Sequence, residues 1–332
     1  MANPAISVII PMYNAEKYIR ECLNSLLKQT FQDFEVIIVD DFSSDNSVEI
    51  AQNYLEKFNR QQILIKRKKN SGNFGYTARN NGFKYAKGEY IFFMDADDML
   101  INTALEELYM AAKNFKADVV YTGARCFYTD DKGAEIKFDK AGNTFADKGI
   151  TEVQSLTVNN PHKLLKILVI EDAMFRTAWT KFVKRQILID NDINFYEILS
   201  GGDYLWTIEL FCCANRVVRV PKAFYLWRKD SIISVTRTKR EPEIQINTWY
   251  KAFIQISKAL NDLLNKRIIL KENPAYCYFA QKNFFECCFR RNFNARSKFK
   301  SEEIYELLNR EFNLDATTAF FLRFIDYQRT EF

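Results

Sequence analysis

Three carboxylates fall within four positions of the stretch YIFFMDADDML: Asp95, Asp97 and Asp98 follow the apolar run Tyr90 to Met94. Like charges this close repel one another, and they are costly unless water or a cation neutralises them. An Asp-x-Asp at a strand end can offer hard oxygen ligands to Mg2+ or Mn2+, ions that keep open positions for a diphosphate. Such an ion offsets charge on a departing phosphate group. The plainer account of the motif is that Asp97 or Asp98 caps a helix beginning near Ile101. Asp40 and Asp41 end a second apolar run, FEVIIVDD. Carboxylates there can accept hydrogen bonds from a ribose or base, or from backbone N–H groups of the following turn. In NSGNFGYTARNN, Gly72 and Gly75 permit close backbone approach, and Arg79 can bind phosphate or brace a carboxylate of the DADD turn. That loop lacks the phosphate-loop pattern G-x-x-x-x-G-K-S/T, and G-x-G-x-x-G is absent. Later in the chain, Asp203 follows Gly201 and Gly202, where it can start a helix as its cap.

The elements that must position these residues read as an alternation. AISVIIP is a strand ending at Pro11, and Asn14 can cap a helix carrying Tyr18, Ile19, Cys22, Leu23, Leu26 and Leu27. FEVIIVDD, QILIKR and YIFFMD are further strands, with helices between them starting near Asp45 and after Gly75. A helix from about Asn102 to Phe115 and the strand ADVVYTG follow. Continuous apolar strands alternating with helices predict a mostly parallel α/β sheet covered on both faces. In such sheets ligands sit beyond the carboxyl ends of the strands, the place of Pro11 to Asn14 and of Asp40, Asp41, Asp95, Asp97 and Asp98. After Gly123 the stretch TDDKGAEIKFDKAGNTFADKG is polar and predicts a hairpin or excursion, while PHKLLKILVI and KFVKRQILID restore a helical pattern. GGDYLWTIELFCCANRVVRVP reads as a helix and a short strand, and the chain is largely helical from Glu243 on.

The first half resembles the family 2 glycosyltransferases, which have the GT-A fold. The resemblance rests on SVIIPMYNAEKYIRECLNSLLKQTFQDFEVIIVDDFSSDNS, on NSGNFGYTARNNGFKYAKGEYIFFMDADD, and on the later GGDYLW and YLWRKDSIIS, in matching order and spacing. It is nearly continuous over the N-terminal third and adds little over the last eighty residues. It implies an inverting transfer of a sugar from a nucleotide-diphosphate donor, with a UDP-sugar expected, and bacterial surface-glycan assembly as the setting. Carried onto this chain, it places Pro11, Tyr13, Asn14 and Asp41 near the base and ribose, and Asp95, Ala96 and Asp97 at ribose and metal. Asp97, with Asp95, would ligate Mn2+ or Mg2+, Arg79 and Arg228 would stand on the phosphate side, and Asp203 would be the general base. That role is chemically sound, because a sugar hydroxyl attacks well only as its proton is removed. The chain departs from many relatives twice: Phe42 follows Asp41 where they have Gly, and Gly202 precedes Asp203 where they have Glu.

The implied organisation is a catalytic domain over 1–235, split into a donor half (1–123) and an acceptor half (124–235), then a helical subdomain over 236–332. A net charge of +5 permits an anionic substrate without requiring one, and a four-residue basic run, Lys66 to Lys69, does not make a nucleic-acid surface. Seven cysteines without framework spacing and a single histidine, His162, argue for free thiols and against a zinc site. No signal-peptide pattern opens the chain and no long apolar run spans a membrane, so the expected location is cytoplasmic. The aromatic and basic FFECCFRRNF, followed by Lys298 and Lys300, suits either a subdomain core or peripheral contact with the inner face of the cell membrane. The expected acceptor is a glycan or lipid-linked hydroxyl. The competing class is a non-catalytic nucleotide-sugar-binding or scaffold protein of the same fold.

Overall fold

The computed structural model describes residues 2–59, 62–129, 136–138, 153–158, 160–171, 176–231 and 242–291. Contacts divide the chain into two compact units, residues 1–197 with 202–237, and residues 198–201 with 238–332.

The first unit begins as the alternation β1 (Ile6–Met12), α1 (Ile19–Leu27), β2 (Phe34–Asp40), α2 (Ser47–Leu55), β3 (Gln62–Lys66), α3 (Tyr76–Phe83) and β4 (Tyr90–Phe93). It continues through β5 (Met99–Leu100), α4 (Ala104–Asn114), β6 (Val119–Thr129), β7 (Ile136–Phe138) and β8 (Gln154–Val158). Then come α5 (Pro161–Leu165), which runs into a π-helical turn at Lys166–Ile170, β9 (Lys181–Lys184), α6 (Arg185–Asp190), α7 (Gly202–Cys213) and β10 (Arg216–Arg228). Every residue of β2 and β4 is buried, because helices cover both faces of this part of the sheet. That is why these strands read as unbroken apolar runs. The sheet order is β3-β2-β1-β4-β9-β6-β10-β5, with β7 added to β6 and β8 to β10.

Register decides which residues meet. β1 lies parallel to β2 and β4, with Ile6 opposite both Phe34 and Tyr90, so the carboxyl ends of the three strands share one rim. β9 runs antiparallel to β4, pairing Phe182 with Phe92, and this brings Lys181 to that same rim. The antiparallel pair β10–β5 sets Tyr225 opposite Leu100 and lays the end of β10 beside the acidic turn.

The fold is the expected α/β sheet, mostly parallel and flanked by helices, but three local expectations change. Lys181–Lys184 is a strand and not part of a helix, since it fills the space between β4 and β6 and pairs with both. β10 has 13 residues where a short strand was expected, because its far end pairs with β5 as well as β6. Asn14 does not cap α1, which begins after Tyr18; its backbone is left-handed (φ 47°) and its side chain accepts from the Ser44 N–H at 2.8 Å. Most of the polar stretch from 130 to 152 lies outside the described residues.

In the second unit, α8 (Pro242–Lys266), α9 (Ile268–Glu272) and α10 (Ala275–Arg291) bury Phe253, Ile256, Leu260, Leu263, Leu270 and Phe284. Residues 292–332, with Lys298 and Lys300, lie outside the described residues, as do the side chains after Phe284 in FFECCFRRNF.

At the opposite end of the sheet from the acidic rim, Ser7, Glu35 and Gly88 interlock. Ser7 Oγ donates to Glu35 at 2.6 Å and accepts from the Gly88 N–H at 2.8 Å. A Cβ at Gly88 would sit 2.6 Å from the Ile6 carbonyl carbon and 2.7 Å from Ser7 Oγ. Backbone cannot yield as a flexible side chain does. Gly88→Ala is expected to lower unfolding free energy by about 1–3 kcal/mol in urea titrations; an unchanged midpoint would refute the tight approach.

Candidate active site

The DADD turn is built from beneath. Asp98 is buried, and its carboxylate accepts from the Tyr225 hydroxyl at 2.6 Å and from the Arg228 N–H at 2.8 Å. The same Tyr225 oxygen accepts from the Asp95 N–H at 3.0 Å, so one phenol ties both ends of the turn. Arg228 Nε donates to the Asp97 carbonyl at 2.9 Å. Its guanidinium is buried, pairs with Glu21 and, at 3.8 Å, with Asp230, and lies over the rings of Tyr18 and Phe127. Arg228 therefore stands under the turn, with its donors committed to protein. Ala96 is buried, whereas Asp95 and Asp97 are partly exposed. Burial, then the Asp95 charge, pushes the Asp97 carboxyl above its ordinary value, and a Ser231 hydrogen bond pulls it back.

The neighbouring strand ends carry the second group of expected residues. Asp41 is buried; it pairs with Arg67 and accepts from the Ser71 N–H at 3.1 Å and Ser71 Oγ at 2.6 Å. The loops after β1 and β2 are stitched together by side chains. The N–H groups of Asn14, Ala15 and Glu16 donate to Ser43, Ser47 and Asp45. Tyr13 (47% exposed) and Phe42 (57%) stand out from these loops. Phe42 is left-handed (φ 73°), a conformation that costs a residue with a side chain roughly 1–2 kcal/mol and glycine nothing. Pro11 is met from the other side by Gly75, where a Cβ would lie 2.9 Å from the Pro11 Cβ.

α3 and α7 bring in the third group. Arg79 is buried, donates to the Phe74 carbonyl at 3.0 Å and pairs with Asp95 at 2.5 Å. This is the bracing that sequence left as one of two roles for Arg79. Asp203 stands in the first turn of α7, where helix N–H groups favour a carboxylate. Its Oδ1 is buried and has no hydrogen-bond partner among the described residues. Burial raises its affinity for a proton, Arg79 lowers it, Asp95 raises it and Lys181 lowers it. Gly202 has a steric reason: a Cβ there would lie 2.7 Å from the Tyr76 ring and 2.9 Å from the Tyr196 carbonyl. Tyr76 stacks on Phe195, and Phe195 on Trp206, so the start of α7 is wedged against α3 by aromatic faces.

Asp95, Arg79 and Asp203 thus form one charged cluster with Asp97 beside it, while Asp41, Tyr13 and Asn14 occupy the adjoining strand ends. Sequence reasoning missed Tyr225, Glu21, Arg67, Ser71 and Lys181, whose residue types carry no spacing signal. Among the described residues no three His, Cys, Asp or Glu side chains converge as a metal cage. Two partly exposed carboxylates nonetheless suit Mg2+ or Mn2+, which bind through one or two carboxylates and take further oxygens from substrate phosphates.

The raised Asp97 has a measurable consequence. Its folded-state pKa lies above the ordinary 3.8, so the folded protein holds the proton longer than the unfolded chain. Stability from this group is full below the unfolded value and falls as pH rises through the window above it. In metal-free buffer, urea midpoints measured from about pH 4 upward should fall less steeply in Asp97→Asn than in the parent. Parallel curves would show that Asp97 has no such shift.

Comparison with known proteins shows the family and the fold. A family model described as Glycosyl transferase family 2 matches residues 7–185, more than half of the chain. An uncharacterized glycosyltransferase of Escherichia coli K12, YibD, is 31% identical over 258 residues, 78% of this chain and 70% of YibD. The poly(ribitol-phosphate) beta-N-acetylglucosaminyltransferase TarS of Staphylococcus aureus is 33% identical over 223 residues, 66% of this chain but only 35% of TarS. The crystal structure of S. aureus TarS 1-349 in complex with UDP superimposes with a TM-score of 0.61 at 26% identity, covering 92% of this chain and 78% of that one. The matched span takes in β1 to β9 with the acidic turn, and the chain belongs to glycosyl transferase family 2.

Proposed function

We propose that the chain transfers a sugar from a nucleotide-diphosphate donor to a hydroxyl of a glycan or lipid-linked acceptor, by one displacement that inverts the anomeric carbon. The observation that carries this reading is the placement of Asp203 in the same charged cluster as Asp95 and Arg79. One edge of the cluster suits a diphosphate, and the other offers a carboxylate with an unpartnered oxygen. A UDP-sugar is the expected donor, supported by the solved complex of TarS with UDP. The name of TarS supports a polyol or glycan acceptor.

In this reading Pro11, Tyr13, Asn14 and Asp41 receive the base and ribose, with the carboxylate of Asp41 fixed by Arg67 and Ser71. Asp95 and Asp97 would hold Mn2+ or Mg2+, which when bound supplies positive charge beside the diphosphate. Arg79 keeps Asp95 oriented, and Arg228 acts on the diphosphate side by fixing the backbone that carries Asp97. Asp203 removes the acceptor proton as the hydroxyl attacks, and its raised proton affinity brings it nearer to what a base needs at neutral pH. Among the described residues no helix is long and apolar enough to cross a membrane. A cytoplasmic protein working at the inner face of the membrane is the setting this reading implies.

Two measurements test it. Titration of UDP with and without manganese should show binding that depends on the ion and is lost in Asp97→Ala; full affinity in chelator would refute the metal role. Asp203→Asn keeps size and hydrogen bonding but removes the proton acceptor. Its kcat should fall roughly 10²–10⁴-fold with UDP-sugar binding retained. Near-normal turnover by a folded Asp203→Asn protein would reject the base.

A further inference from the structure

Tyr225 stands near the end of β10, where the strand pairs with β5 on one side and β6 on the other, setting Tyr225 opposite Leu100 and Ala124. Its side chain is fully buried. The ring stacks on Trp179, with centroids 4.4 Å and planes 14° apart, and meets the Phe92 ring edge-on at 6.3 Å. Two strands and two rings therefore fix where the hydroxyl lies. What it touches is the turn after β4. The pairing of β4 with β1 ends at Met94, whose N–H donates to the Ile9 carbonyl at 3.0 Å. The next N–H, of Asp95, donates to the Tyr225 oxygen, also at 3.0 Å. A backbone N–H can only donate, so the phenol accepts it and aims its own proton at Asp98 Oδ2, 2.6 Å away. The Asp98 N–H closes the turn onto the Asp95 carbonyl at 3.2 Å. Between these two held residues stands Asp97, partly exposed like Asp95.

We propose that Tyr225 is a positioning residue whose hydroxyl sets the alignment of Asp95 and Asp97 on which affinity for a small divalent cation depends. The inference rests on the reading that these two carboxylates hold the cation. Phenylalanine would make the same ring contacts, so what the hydroxyl adds is its two bonds to the turn. Without it, the Asp95 N–H loses this acceptor and Asp98 Oδ2 loses this donor, both in a buried place where an unmet group is costly. The turn must then shift to find other partners, and the carboxylates it carries shift with it. Groups that orient ligand residues from behind tune metal affinity in this way. The size of the effect depends on the ion. Mg2+ and the similar Mn2+ demand near-ideal octahedral geometry, whereas Ca2+ accepts a looser and more variable set of oxygens. A displaced carboxylate therefore costs the smaller ions more.

The test is Tyr225→Phe, which removes the hydroxyl and keeps the ring, with folding checked by thermal melting. Mn2+ binding in the presence of UDP is followed by loss of the free-ion EPR signal, and Ca2+ binding by competition with Mn2+. The Mn2+ Kd should rise roughly 10-fold, as when a supporting partner of a ligand is removed. The Ca2+ Kd should rise less than about 3-fold, because that ion tolerates the displacement. An unmoved Mn2+ Kd overturns the proposal. So does an equal loss for both ions, which would mark general collapse of the turn and not lost alignment. If Tyr225→Phe does not fold, Trp179→Phe leaves the hydroxyl in place and shortens the stack that holds it. Its Mn2+ Kd should rise by less, and an unmoved value again overturns the proposal. Failure of the cation reading looks different: the parent protein with UDP would bind no Mn2+, or would bind it equally well as Asp97→Ala, and the role of Tyr225 would fall with that reading.

Discussion

Asp98 is buried with its carboxylate held between the Tyr225 hydroxyl and the Arg228 N–H, and the rim of the sheet is organised around that arrangement. An acidic group in such a place needs donors aimed at it, and β10 delivers them. The Tyr225 oxygen also accepts from the Asp95 N–H, while the Arg228 guanidinium reaches the Asp97 carbonyl and Glu21 of α1. Two elements distant in sequence, β10 and α1, are thereby locked to one four-residue turn. The gain is positional: Asp95 and Asp97 stand partly exposed at fixed points because Asp98 beneath them is fully engaged.

The same logic of compensated charge extends across the rim to α7. Arg79 neutralises Asp95 directly and acts on Asp203 at longer range. Aromatic packing fixes how near α7 can come: the ring of Tyr76 presses on Gly202 and stacks on Phe195, which stacks on Trp206. Any side chain at 202 would have to displace Tyr76 to enter this arrangement. Gly202 is thus bound up with how closely Asp203 approaches the acidic turn.

On the β1–β2 side, rigidity comes from hydrogen bonds instead. Ser43, Ser44, Asp45 and Ser47 of one loop meet Asn14, Ala15 and Glu16 of the other, and both Asn14 and Phe42 are held left-handed. A strained residue persists only where its surroundings over-determine it. These loops present Tyr13 and Phe42 to solvent on a fixed backbone.

What the sequence determined by itself was the donor half: β1, β2 and β4 as buried strands, helices between them, and aspartates at their carboxyl ends. Those features are local, since an apolar run and the residue ending it are read in one window. The motifs also placed Asp203 at a helix start. Tertiary structure alone decided the rest. KFVK reads as polar and helical, yet pairing with β4 and β6 makes it a strand and buries Lys181. The resemblance puts Arg228 on the phosphate side, and only the fold shows that its guanidinium meets Glu21 and the Asp97 carbonyl. Asn14 reads as a cap, yet its partner lies thirty residues on, in Ser44. In each case the energy of a charged or polar group depends on which distant donors and acceptors the fold brings beside it, and no window of sequence contains them.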